Sequence, residues 1–342
     1  MIYSLIAILL ILYLYNRSHQ SGVIDESAEK RSIRIVFIML ILLAALRHVI
    51  INTDRGGYME EYIGISSMSF SQIADRWPSY FGYYGLSKVF SFTGLPYQFW
   101  FAFVEFLYLV GFARLLNRFS LDKLMAIFVF FTCGIFGFSY HGLKQIVAMA
   151  FAWNALADFC DKRYIRAALF FLIAYLSHKS SLLFGFAPIL WLLRGKTYFK
   201  YLIVLACLIL AFSSSNMIST FADILGDEHY LSYLGEESHY NLTTFFLYLI
   251  LLCASLFAKN KNEKVADSRY STAMASIVTF LQLSALVVAS AFRLGLYFSP
   301  FICILVSNNV KNDKMVRTGI ILMLCIFMLY SGKNDPYQFF WQ

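Results

Sequence analysis

The sequence predicts an all-α, polytopic integral membrane protein. Of 342 residues, 60% are hydrophobic and only 14% charged, about half the charged share of a soluble globular domain. Apolar runs recur from Ile2 to Tyr330, and each needs only about 20 residues to cross a bilayer. The runs are continuous rather than alternating, which selects helices over a closed barrel. A nucleic-acid-binding domain, a secreted disulfide scaffold and an enzyme built on an open sheet are excluded on these grounds.

The runs fall at 2–15, 35–51, 97–116, 121–140, 145–159, 167–177, 180–193, 199–212, 242–258, 271–290, 294–307 and 318–330, about twelve membrane segments. The first has no Lys or Arg before it and no small-residue cleavage site after it, so it reads as a retained span rather than a signal peptide. Cysteines 133, 160, 207, 253, 303 and 325 lie in or at the ends of apolar runs, which implies no disulfide framework. No repeat of fixed period is present.

The net charge of +8 is explained by topology. Six clusters hold 20 of the 28 basic residues: Arg17 to Arg34, Arg114 to Lys123, Lys162 to Arg166, Arg194 to Lys200, Lys259 to Arg269 and Lys311 to Arg317. Placing all six in the cytoplasm puts 52–96, 141–144, 178–179, 213–241, 291–293 and the tail 331–342 outside, with both termini. The chain 1–342 then forms a single membrane domain.

Eleven residues, 167–177, reach about half of a 30 Å hydrocarbon core at about 1.5 Å per residue. A short-helix hairpin over 167–193 is therefore expected, its tip Ser177-His178-Lys179-Ser180 sunk below the outer surface; ordinary spans lengthened by flanking residues are the alternative. The outer segment 52–96, rich in Tyr and Gly, reads as a lid-like loop of short interfacial helices. The second long outer loop, 213–241, carries Asp223, Asp227, Glu228, Glu236 and Glu237 without Lys or Arg, and reads as a solvated acidic loop.

Charges near apolar runs are costly unless paired or facing water, and here they converge on one face. Arg47 and His48 end the second run, and Asp54 and Arg55 follow. His141, Lys144 and Gln145 form the turn after the fourth run, His178 and Lys179 the hairpin tip, and Arg293 lies near the end of the chain. Each has a plain reading: a lone arginine at a span end snorkels to headgroup phosphates, a lone histidine is a packing residue, and Glu105 within the third run neutralises a basic neighbour or acts as a base. Taken together, the set points to a cavity for an anionic group near the outer surface. At that depth the anion is a lipid-linked phosphate or pyrophosphate, matched by arginine's planar donors. There is no HExxH, Walker loop, GxSxG or DxD pattern, and no metal or cofactor is expected.

The stretch His141-Gly142-Leu143-Lys144-Gln145, the basic turn Asp161 to Arg166 and the later Ala174-Tyr175-Leu176-Ser177-His178-Lys179-Ser180-Ser181 resemble the EpsG family of exopolysaccharide polymerases. That family is similar in role to the Wzy O-antigen polymerases. Arg47 with Thr53-Asp54 and Tyr58, and Arg293 with Tyr297-Phe298, match further parts in order. The resemblance covers roughly 47–300. Here His141 stands for the usual Asn, Lys144 for the usual Arg and Asn52 for a common Gly, and one extra residue separates Arg47 from Asp54. Lysine keeps the charge but not the bidentate fork.

The resemblance implies glycosyl transfer at the outer face of the bacterial inner (cytoplasmic) membrane, in O-antigen, capsule or exopolysaccharide synthesis. The substrate would be an undecaprenyl-pyrophosphate-linked oligosaccharide, with undecaprenyl pyrophosphate released and a chain-length regulator as a partner. Arg47, Lys144, Arg293, Lys179 and Arg55 would bind the pyrophosphate. The acceptor hydroxyl needs a base, for which Asp54, His178, His141 and Glu105 are candidates, and Gln145, Tyr58 and Tyr297 would contact substrate. Tyr80-Phe81-Gly82-Tyr83-Tyr84 could stack sugar rings, although interfacial anchoring also accounts for such tyrosines. Two rivals remain. A membrane O-acyltransferase would use His178 but leave the basic set without a common purpose, and a lipid-linked oligosaccharide flippase would place its site nearer the midplane.

Overall fold

The computed structural model describes residues 2–19, 25–48, 54–196, 198–199, 203, 239–258, 265–285 and 291–331. The described residues are all-helical, with no strand among them. The acidic loop 213–241 lies almost wholly outside them, as does the run 199–212 apart from Ile203 and Phe199. The residues group into two compact units: one of 1–118, 122–182 and 321–342, the other of 119–121 and 183–320.

The first unit begins with α1 (Ile2–Ser18) and α2 (Glu26–Ala45), which pack against each other and against α7 (Lys123–Thr132). Asp25 caps α2, accepting from the Ser27 and Ala28 amides at 2.9 and 3.2 Å, as an N-cap carboxylate should. Asp122 caps α7 through the Met125 amide at 3.1 Å and also accepts from the Tyr15 hydroxyl at 3.2 Å. Glu29, buried on α2, accepts from the Lys123 amide at 3.0 Å and from its Nζ at 3.2 Å.

The segment 52–96 carries three short helices, α3 (Asp54–Ile65), α4 (Phe70–Arg76) and α5 (Phe81–Ser91), with a 3-10 turn at Pro78–Tyr80. A capping box starts α4: the Gln72 amide donates to Ser69 Oγ at 3.3 Å and the Ser69 amide to Gln72 Oε1 at 2.8 Å.

Among the described residues one helix, α6 (Tyr97–Phe119), is long and apolar enough to cross a membrane. It meets α8 (Leu143–Cys160) at Gly111, where an added Cβ would lie 2.7 Å from the Ala150 carbonyl oxygen; such small-residue contacts let membrane helices approach closely. One turn to either side, Tyr108 stacks on Trp153 at 5.1 Å, and Arg114 joins the buried Asp158. Asp158 also receives Arg166 Nε at 2.6 Å, with Arg163 Nη1 at 3.8 Å. The turn 161–163, with Lys162 at φ 61°, then leads into α9 (Tyr164–Ser177), which packs along α8. Apolar side chains such as Ile6, Leu9, Ile38, Ile165 and Leu172 point outward, each more than half exposed, the expected outer face of a bundle in lipid.

The apolar run 121–140 is not one helix. α7 ends at Thr132, Gly134 takes φ +75° and the chain continues as a 3-10 segment, Phe136–Tyr140. Hydropathy continues across Gly134, but backbone geometry does not. Over 167–193 the chain forms the end of α9, a 3-10 segment Lys179–Gly185 and α10 (Phe186–Leu193).

In the second unit, α10 packs on α12 (Val265–Ser284), and α12 on α11 (His239–Phe257), α13 (Ala291–Leu296) and α14 (Pro300–Val310). The run 294–307 is split because Pro300 opens α14; proline suits a first helical position, where no intrahelical N–H bond is needed. The fully buried Asn308 donates from Nδ2 to the Phe119 carbonyl at 2.8 Å and accepts the Leu121 amide at 2.7 Å. Tyr270 donates to the Ala187 carbonyl at 3.1 Å. The last helix among the described residues, α15 (Lys314–Ser331), runs from the second unit into the first, and its first turn is capped by Asp313, which accepts the Val316 amide at 3.0 Å.

Candidate functional site

The first unit gathers aromatic and charged residues around the start of α8. Gly142 occupies the N-cap without a side-chain hydrogen bond, so the positive end of the helix dipole falls beside Lys144 in the first turn. Three tyrosine rings face Lys144 Nζ, those of Tyr84 at 4.8 Å, Tyr80 at 5.0 Å and Tyr58 at 5.4 Å. Ring faces attract ammonium groups at these distances. Glu61 Oε1 lies 3.6 Å from the same Nζ, and both side chains are largely buried.

Local sequence explains each position. On α3, Tyr58, Glu61, Tyr62 and Ile65 share a face at helical spacing, and Tyr62 and Ile65 are buried. On α5, Tyr83 and Tyr84 point inward. Tyr83 accepts the Trp100 indole N–H at 3.3 Å, and Tyr84 stacks on Trp77 at 4.1 Å. Burial, followed by the negative charge of Glu61, raises the Tyr84 phenol far above its usual range, so it stays neutral. Burial likewise raises Tyr83.

The turn after α9 joins this group through Tyr80, whose ring centroid is 5.6 Å from that of His178. His178 Nδ1 lies 2.6 Å from Ser180 Oγ, and Ser180 is buried. Tyr140, just before His141, carries the Arg47 guanidinium 4.3 Å over its ring.

Of the residues expected from sequence, Lys144 and Tyr58 are brought together directly and His178 joins them through Tyr80, while Arg47 is placed on Tyr140, one residue before His141. Gln145 is buried on α8, His141 is exposed and Lys179 is partly exposed beside His178. Glu105 is buried on α6. The side chains of Asp54 and Arg55 lie outside the described residues. Arg293 and Tyr297 belong to the second unit, where Arg293 lies 6.0 Å from the Phe292 ring and the buried Tyr297 6.2 Å from Phe184.

Glu61 is the member that sequence reasoning missed. Its signal was the spacing of three from Tyr58 within a helix, which places both on one face.

Chemically, the arrangement offers a caged cation, a carboxylate, an imidazole with one nitrogen engaged by a serine, and aromatic surfaces suited to sugar rings. Among curated proteins and solved structures nothing matches. The model of the EpsG family does match, over residues 30–342, and the chain therefore belongs to the EpsG family.

Proposed function

We propose that this chain is a glycosyltransferase that polymerises undecaprenyl-pyrophosphate-linked oligosaccharide repeat units at the outer face of the bacterial inner membrane, for exopolysaccharide, capsule or O-antigen. Family membership supports a membrane protein with an exopolysaccharide-polymerase role. The observation that carries the finer reading is Lys144 held by Tyr58, Tyr80 and Tyr84, with His178 in contact with the same Tyr80. A cation for a leaving anion, a base and ring-stacking surfaces thus share one cluster.

In the reaction, the acceptor hydroxyl oxygen bonds to the anomeric carbon of the growing glycan as the bond from that carbon to pyrophosphate oxygen breaks. The bonding electrons leave with the pyrophosphate, whose gain in negative charge Lys144 and Arg47 stabilise, with Lys179, Arg55 and Arg293 as further anion-binding residues. The hydroxyl proton passes to a base. His178, whose Nδ1 lies 2.6 Å from Ser180 Oγ and whose ring meets Tyr80, is one candidate for that role; Asp54, His141 and Glu105 are the others. Tyr58, Gln145 and Tyr297 contact the glycan. About twelve membrane segments, short ones included, hold this site toward the periplasm or cell exterior, and a chain-length regulator acts on the product.

The test is the size distribution of surface and lipid-linked glycan in cells lacking the chain, restored with the intact protein or with Arg293→Ala. A ladder that collapses to one repeat unit and returns only with the intact protein supports polymerisation. Lipid-linked units trapped inside the cell would instead indicate a flippase, and a full ladder lacking only an acyl substituent an acyltransferase.

A further inference from the structure

We infer that Glu61 is a charge clamp on Lys144, a positioning residue that competes with the anionic headgroup for the lysine and so sets how tightly the leaving pyrophosphate is held. The inference rests on the proposed function, because it concerns the same cation.

Glu61 Oε1 stands 3.6 Å from Lys144 Nζ, and the two side chains keep only 29% and 21% of their surface exposed. An ion pair so screened from water interacts more strongly than a surface pair. The rings of Tyr58, Tyr80 and Tyr84 stand around the same Nζ at 4.8 to 5.4 Å and fix where the ammonium points. The carboxylate comes from α3 and the lysine from α8, so the pair ties the segment 52–96 to the start of α8.

A phosphate oxygen that reaches Nζ meets a charge already offset by Glu61 and is repelled by that carboxylate. In the resting protein the lysine charge is offset by the carboxylate, and its attraction for the pyrophosphate is reduced by the same amount. This has a use in a processive reaction. A cation that stabilises the charge developing on the leaving group also retains the product, and a competing carboxylate lowers affinity for the released pyrophosphate so that the next lipid-linked unit can enter. Binding ground state and product too tightly gains nothing in turnover.

The test is binding of inorganic pyrophosphate to the purified full-length protein, intact and as Glu61→Gln, Lys144→Met and the double variant, with thermal unfolding followed in parallel. Glu61→Gln keeps the shape and removes the charge. It is expected to bind pyrophosphate about fivefold tighter, the scale of a partly screened ion pair, and the gain should vanish when Lys144→Met is added. Glu61→Asp, whose shorter side chain draws the carboxylate back, should give a smaller gain and carries the test if Glu61→Gln does not fold. Equal or weaker binding by folded Glu61→Gln would overturn the clamp while leaving the anion site standing. No binding by any folded form, the intact protein included, would overturn both the clamp and the anion site. A gain that persists without Lys144 would show general electrostatics and also overturn the clamp.

Discussion

Gly82 and Ser177 bring α5 and α9 so close that a Cβ on Gly82 would lie 2.7 Å from the Ser177 backbone nitrogen and 2.6 Å from its Oγ. Ser177 is fully buried and its hydroxyl donates to the Ile173 carbonyl at 2.8 Å. The crossing sets the distance between Tyr80, two residues before Gly82, and His178, the residue after Ser177.

Gly82→Ala should therefore push the two elements apart and separate the Tyr80 and His178 rings. Backbone is the obstacle, so the added methyl has no flexible neighbour to displace, and overpacking of this kind costs about 1–3 kcal/mol. A displacement of about 1 Å near the chemistry can cost about a hundredfold in rate. Polymer yield at matched protein level should fall at least tenfold, with a lowered melting temperature. Unchanged yield and melting would show that the crossing does not position the site.

Asp158 predicts a purely structural effect. It is fully buried and collects Arg114, Arg166 and Arg163, tying α6 to the α8–α9 turn. Asp158→Ala leaves these arginines facing one another, and breaking a buried pair costs about 3 kcal/mol at the lower end of the usual range, the end that applies here because the Arg166 side chain is half exposed at 51%. Protein level and melting temperature should drop, while pyrophosphate binding by the remaining folded fraction should be unchanged. Loss of binding at intact stability would contradict this assignment.

His19 predicts a pH dependence. Its Nε2 lies 3.3 Å from Asp122 Oδ2 and its ring stacks on Tyr15 at 4.1 Å. Burial lowers its pKa, but the hydrogen bond and charge of Asp122 outweigh burial and raise it above the ordinary 6.5. The imidazolium is thus favoured in the folded state. The stability it lends is fully present below the unfolded value near 6.5 and is lost as pH rises through the higher folded value. The melting temperature should fall as pH rises above about 6.5, and the fall should be smaller in His19→Gln. An identical pH profile in that variant would rule out this contribution.

Orientation gives a further prediction. With the basic clusters in the cytoplasm, single cysteines placed in 213–241 should react with an impermeant reagent added outside intact cells, and those in 259–270 should not. The reverse pattern would invert the proposed topology.

Much of the helical character and part of the site were legible in the sequence because they rest on local signals. The turn ahead of Leu143 and the break after Ser177 stand out as polar residues in apolar surroundings, and both fall where the structure ends or starts a helix. What was not legible depends on packing. Glu61 becomes a partner of Lys144 only once α3 has formed and docked beside α5 and α8. Arg163 and Arg166 carry a topological signal by charge, but their role around Asp158 needs the α8–α9 turn. The break at Gly134 was hidden because hydropathy sees no difference between an apolar span and an apolar turn.

The most direct measurement is the turnover of purified protein in proteoliposomes supplied with polyprenyl-pyrophosphate-linked repeat units, following glycan length and released polyprenyl pyrophosphate together. The intact protein should lengthen the glycan and release one polyprenyl pyrophosphate per linkage formed. Lys144→Met should slow both about a hundredfold, the cost of removing one group aimed at developing charge, without unfolding the protein. Full turnover in Lys144→Met, or glycan lengthening without release of the carrier, would contradict the account.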